Sequence, residues 1–178
     1  MRERGISVTP NFQISSVNAG AKTIESFAGE KIEYDLLCSV PVNLGPRAIE
    51  DSGLGDGACY AVTDDHNLKS KKAERIYAIG DATNLRTSKA GSVTHFEAEM
   101  AAENILLEIA GKEPRPGFDG HTNCFIETGD HKAFLIDFNY EVEPVHGTFP
   151  FPGIGPMSLL KNTRINHLGK IAFRWVYW

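Results

Sequence analysis

Cysteine is scarce: Cys38, Cys59 and Cys124 are the three in 178 residues, and no two form a C-x-x-C pair. An odd, widely spaced set excludes a disulfide framework and a zinc knuckle, and points to reduced thiols in a cytoplasmic setting. Long apolar runs are missing too. None approaches the roughly 20 residues needed to cross a bilayer, so membrane association is expected only as peripheral contact on the cytoplasmic face. The opening MRERGISVTPNF has charges but lacks the apolar core of a secretory signal. There is no excess of basic charge: a net charge of -5 gives no reason to expect nucleic acid as a partner. His66, His131, His146 and His167 show no metal-ligand spacing, no internal repeat is visible, and no G-x-G-x-x-G phosphate loop occurs.

What is present reads as globular. With 42% hydrophobic and 23% charged residues, disordered and collagen-like classes are excluded, and the length suits one domain or two small lobes. Residues up to Val40 read as a small meander, with Phe12, Ile14, Ile24 and Phe27 apolar and turns at 18–20 and 28–30, ending in a buried strand over 36–40. Two prolines and four glycines surround a short helical stretch at 47–52. The spacing predicts a strand over 76–79, then one long helix in SVTHFEAEMAAENILLEIAG. Thr94 with Glu97 matches a capping box, and Gly111 with Pro114 marks the stop. Val93, Phe96, Met100, Ile105, Leu107 and Ile109 spread around much of its circumference, which predicts burial against a sheet. TNCFIET and KAFLIDFNYEV follow as strands joined through Gly129-Asp130, suited to a hairpin. The tail gathers Phe173, Trp175, Tyr177 and Trp178.

The chemistry begins at RIYAIGDATN, where an apolar run meets Gly80 and then Asp81. Ligands of open α/β sheets bind beyond the carboxyl ends of strands. Glycine admits a close approach there, and a carboxylate accepts hydrogen bonds from sugar or ribityl hydroxyls. A bare Gly-Asp pair also suits an ordinary turn. The following helix start, Gly91-Ser92-Val93, offers unpaired N–H groups and a positive dipole end suited to an anionic group. Cys124 is a candidate thiolate nucleophile with His121 nearby, and equally a buried inert cysteine.

IYAIGDATN with SKAGSVTHFEAEMAAENI resembles the C-terminal FAD-contacting segment of the pyridine nucleotide-disulfide reductase superfamily. Within it, FDGHTNCFIETGDHKAFLIDFNYEVEP, TFPFP and LLKN are similar to the sulfide:quinone oxidoreductases. The likeness runs over essentially the whole chain and is most specific over 75–151. It implies an α/β fold: the C-terminal fragment of a two-dinucleotide-binding-domain flavoprotein, with the end of a second Rossmann-like domain, an FAD-contacting strand and helix, and a C-terminal hairpin and helices. Three segments follow: 1–53 as the end of an NAD(P)-like domain with the meander, 54–115 as the FAD-contacting segment, and 116–178 as a quinone, membrane and interface region.

The resemblance implies FAD as cofactor, with Gly80, Asp81, Lys89, Gly91, Ser92 and Val93 contacting it. The family's K-T-G reads Lys89-Ala90-Gly91 here, which removes a hydroxyl. Cys124 takes the place of one of two redox cysteines that handle sulfide sulfur. Phe149, Phe151 and Lys161 are the quinone candidates, whereas Arg164 reads as a surface charge. Trp175, Tyr177 and Trp178, with Lys170 and Arg174, suit a lipid interface, a dimer contact or a core helix. The family places its phosphate loop and second cysteine in an N-terminal half, so that half is an expected partner. This chain alone is expected to bind FAD weakly, to turn over no sulfide and to self-associate. Rival readings are a type II NADH:quinone dehydrogenase, a flavocytochrome sulfide dehydrogenase subunit, or a non-catalytic interaction module.

Overall fold

A computed structural model describes residues 5–177, with side chains to 175; Trp178 and the Tyr177 side chain lie outside the described residues. The chain packs as two compact units, 1–43 and 44–178.

The first unit is the expected meander. Strands β1 (Ile14–Asn18), β2 (Thr23–Ser26) and β3 (Lys31–Glu33) form an antiparallel sheet in sequence order. Alternation in β2 buries Ile24 and Ser26 and leaves Thr23 and Glu25 half-buried. Asn18 Oδ1 accepts from the Ala21 amide at 3.0 Å in the first turn. The buried strand expected over 36–40 does not form: Leu36 is 83% and Val40 84% exposed, and Cys38 is exposed with them. Without a neighbouring strand or covering layer in the described residues, apolarity alone does not make a strand.

In the second unit a short helix α1 (Arg47–Asp51) precedes a turn-rich stretch in which residues between 55 and 83 pair by isolated bridges. The predicted strand over 76–79 is extended but reduced to one bridge, Lys69 with Tyr77, flanked by Ser70 N–Ile76 O and Ala78 N–Leu68 O bonds. Helix α2 (Gly91–Ile109) has no side-chain N-cap, so the expected capping box is a correction. Thr94 Oγ1 bonds back to the Ala90 carbonyl at 3.3 Å, and Glu97 turns inward. Its C-terminus ends as foreseen: Gly111 has φ +71, its amide reaches Glu108 O, and the Lys112 amide reaches Leu107 O. Burial is one-sided. Val93, Glu97, Ala101 and Asn104 are buried, whereas Leu106 and Ile109 are exposed. Val93 and Ala101 join Leu68, Leu85 and Phe118 in one apolar core.

Strands β4 (Thr122–Gly129) and β5 (Lys132–Phe138) make the hairpin, continued by β7 (Met157–Leu159) and β6 (Gly147–Phe149) in the order β4-β5-β7-β6. The turn contains the expected Gly129-Asp130 pair. Gly129 pairs with Lys132, leaving Asp130 and His131 as central residues, both with positive φ as a type I′ turn requires. Strand β5 stops at Phe138 because Asn139 Oδ1 captures the amides of Glu141 and Val142. Helix α3 (Arg164–Tyr177) covers one face of the sheet, where Ala133, Leu135 and Leu159 are buried. Burying such aliphatic side chains supplies about 1.5–3 kcal/mol for each large one.

Candidate functional site

Residues 76–79 lead into Gly80, whose φ of +69 disfavours any side chain, and then into a tight turn over Gly80–Ala82. Thr83 closes it, its amide and hydroxyl both donating to the Gly80 carbonyl at 3.1 and 2.9 Å. Asp81 is exposed at the apex. The turn lies close against α2: a Cβ on Gly80 would stand 3.1 Å from Thr94 Oγ1.

Two charged side chains grip the turn. The Gly80 amide donates to Glu97 Oε2 at 2.5 Å, and Lys89 Nζ donates to the Thr83 carbonyl at 2.5 Å with its ammonium 5.1 Å from the centre of the Tyr60 ring. Burial pushes the Glu97 carboxyl above its ordinary value, Asp81 adds to that shift, and the Gly80 amide and Lys89 partly offset it. Lys89, anticipated as a cofactor contact, is thus occupied with the chain's own loop.

Helix α2 begins next to this turn. Nothing lies within 4 Å of where a Cβ on Gly91 would point, so the space beside the uncapped first turn is open. Val93 is buried in the core, leaving only its backbone amide for a ligand. Ser92 Oγ donates to the Asn123 carbonyl at 2.9 Å, fastening the helix start to β4 one residue before Cys124. These residues are of the types an FAD would need: a carboxylate at a glycine turn for hydroxyls, and a helix N-terminus without a side-chain cap for an electron-rich ring edge.

Cys124 is half-buried and pairs with Ile136 across the hairpin. By strand alternation it shares a face with Ile126, Phe134 and Ile136, opposite the face that α3 covers. His121 does not serve it. The imidazole Nε2 meets Asp137 Oδ2 at 3.2 Å and the ring stacks on Phe96 with centroids 5.0 Å apart, on the side of Asn123 and Asp137. The expected electrostatic help from His121 is therefore corrected.

The quinone candidates lie elsewhere on the sheet. Phe149 ends edge strand β6, Phe151 is 64% exposed in the following loop, and Lys161 is exposed after β7. Strands β5 and β7 lie between Cys124 on β4 and Phe149 on β6, whereas Lys161 follows β7. Arg164 is exposed at the start of α3. A groove of about 660 Å³ at the far end of α2, lined by Lys69, Tyr77, Ile105 and Glu108 among others, includes none of the anticipated residues.

Sequence reasoning gave Glu97 only a capping role and passed over Asn104 and Asn166; all three are buried. The signal for Glu97 was there: it falls on the same helical stripe as Val93 and Ala101, where a charge must have a partner.

An extended run into a glycine turn, a helix starting beside it and a hairpin bearing a half-buried cysteine make up a mixed α/β segment. No protein-family model matches the chain. Its relatives are sulfide:quinone oxidoreductases, and the chain is homologous to a stretch of them. It is 29% identical over 157 residues to the mitochondrial sulfide:quinone oxidoreductase of Mus musculus, with 85% of this chain and 35% of that protein covered. The mitochondrial sulfide:quinone oxidoreductase of Schizosaccharomyces pombe is 30% identical over 145 residues, with 82% and 31% covered. That of Dictyostelium discoideum is 29% identical over 155 residues, with 84% and 34% covered. The chain thus spans about a third of the length of the curated relatives it matches, an extent consistent with a C-terminal portion. Its fold is similar to a chain in the cryo-EM structure of the Tetrahymena thermophila mitochondrial ATP synthase, with a TM-score of 0.70, 21% identity, and 97% of this chain and 40% of that one covered. No helix among the described residues is long and apolar enough to cross a membrane.

Proposed function

We propose that this chain supplies one wall of a flavin-dependent oxidoreductase that oxidises sulfide with a quinone as acceptor. The observation that carries the reading is the Ser92–Asn123 bond, which joins the open N-terminus of α2, beside the Gly80–Asp81 turn, to the strand bearing Cys124. The names of the relatives support the substrate pair.

Bound FAD supplies a two-electron acceptor between sulfide and quinone. Asp81 accepts hydrogen bonds from the ribityl or ribose hydroxyls. The amides of Gly91, Ser92 and Val93 present the positive end of α2 to the electron-rich edge of the ring. Cys124 would share a disulfide with a second cysteine outside this chain: sulfide attacks it, the S–S bond breaks, one cysteine leaves as the thiolate and the other holds the incoming sulfur as a persulfide. Once that sulfur passes to a nucleophilic acceptor, the two thiols would be reoxidised to the disulfide, with the flavin taking the electron pair. Phe149 and Phe151 give an apolar seat for the quinone and Lys161 a cation beside it. Helix α3 leaves Ile165, Leu168 and Trp175 exposed and carries Lys170 and Arg174, a combination suited to a lipid surface from which a quinone would arrive.

The remaining two thirds of the relatives' length is the proposed complement. An apolar cavity of about 330 Å³ beside residues 76–79, lined by Ile49, Leu54, Ile76 and Ile79 among others, is a surface for it. Alone, the chain is expected to bind FAD weakly. The test adds FAD and the complementing half, then follows flavin bleaching on anaerobic addition of sulfide. Bleaching lost in Cys124→Ser supports the reading; bleaching by NADH alone, unchanged in Cys124→Ser, overturns it in favour of an NADH dehydrogenase.

A further inference from the structure

Glu97 takes no part in the chemistry just described, yet it is 1% exposed in the middle of α2. Burying a carboxylate is costly unless it is hydrogen-bonded or paired, so its one strong bond is informative. That bond, from the Gly80 amide at 2.5 Å, reaches the residue immediately before Asp81. At the other end of the same turn Lys89 Nζ holds the Thr83 carbonyl at 2.5 Å. The turn carrying Asp81 is therefore held by an acid at its amide end and by a base at its carbonyl end. Gly80 has φ +69, and a Cβ there would stand 3.1 Å from Thr94 Oγ1, so the turn tolerates no side chain at this position.

We propose that Glu97 is a positioning residue: its carboxylate fixes the Gly80 amide and thereby sets where the Asp81 carboxylate meets the hydroxyls of a bound flavin dinucleotide. The inference rests on the flavin reading above. A purely structural position on this stripe would be served better by an apolar or neutral amide side chain, which carries no buried charge. The charged and titratable groups facing Glu97 are Lys89 and Asp81 from the adjoining loop and Tyr140 from beyond β5. Protonation of Glu97 weakens a charge-assisted bond and loosens the turn.

The experiment titrates FAD into the protein in its native full length by flavin fluorescence across pH, for wild type, Glu97→Gln and Glu97→Asp. Melting temperature and hydrogen exchange at the Gly80 amide are read alongside. Gln is expected to melt no lower than wild type, to expose the Gly80 amide to faster exchange and to bind FAD about tenfold more weakly at neutral pH. It also loses the wild-type fall in affinity as the pH drops through the Glu97 titration. Asp, charged but one methylene short, is expected to keep that pH dependence at weakened affinity, and it carries the test should Gln fail to fold. Variants that match wild type in affinity, pH profile and Gly80 exchange overturn the inference and leave the flavin reading standing. A wild-type protein that binds no FAD at any pH overturns the flavin reading, and this inference with it.

Discussion

The Ser92 hydroxyl donates to the Asn123 carbonyl at 2.9 Å, so the first turn of α2 and the cysteine strand are fixed to each other by a side chain that also belongs to the expected cofactor contact. Removing it in Ser92→Ala costs a single neutral hydrogen bond, about 1 kcal/mol of stability. The variant is expected to remain folded in urea denaturation while its Cys124 thiol reacts at a different rate with a disulfide reagent. An unchanged rate would mean that the strand keeps its place without the helix. Cys38, which is exposed, and Cys59, half-buried like Cys124, must both be removed first, because each would react with the reagent.

Asn166 is a second fastening that no motif announces. Fully buried at the start of α3, its Nδ2 donates to the carbonyls of Ala133, Ser158 and Lys161 at 3.2, 2.8 and 2.9 Å, and its Oδ1 accepts from the Ser158 amide at 3.0 Å. Asn166→Ala leaves buried backbone groups without partners and is expected to destabilise the fold by about 3 kcal/mol. Chemical denaturation measures it; a loss below about 1 kcal/mol would show that water replaces the amide.

Glu97 gives the protein a pH signature in stability as well as in binding. Its folded-state pKa is raised, by burial first, above the value it has in the unfolded chain. Between those two values the folded state holds the proton and the unfolded state does not, so stability is greatest below the window and declines as the pH rises through it. Glu97→Gln is expected to remove that slope. Parallel stability profiles for the two proteins would place the slope on another group.

Helix α3 makes the lipid proposal measurable. Trp175 is 74% exposed, and Arg174 lies 4.6 Å from its ring centre. With vesicles of anionic lipid, Trp175 emission is expected to shift to shorter wavelength, and Lys170→Glu combined with Arg174→Glu is expected to abolish the shift. No shift, together with a concentration-dependent increase in mass, would assign the face to self-association.

Local pattern was enough for several elements. Alternation with turn residues located the β1–β3 meander, and helical spacing closed by Gly111 located α2 and its end, because these depend on neighbours within a few residues. The hairpin was legible too, but not its register. The turn does contain Gly129-Asp130, and pairing along β4 and β5 puts Asp130 and His131 at its tip. Cross-strand packing decides that, and a one-residue slip would have turned Cys124 to the opposite face.

The sequence by itself determined which groups are available: a glycine followed by an acid after an apolar run, a long helix with an unobstructed start, and a cysteine on a hairpin strand. Tertiary structure alone decided what they touch. It sent His121 to Asp137 and away from Cys124, took Lys89 for Thr83, and turned Glu97 from an expected cap into a buried brace on Gly80. It also left residues 36–40 without a partner strand. The physical reason is that propensity and periodicity act over a few residues, whereas buried polar groups must find partners wherever the fold brings them.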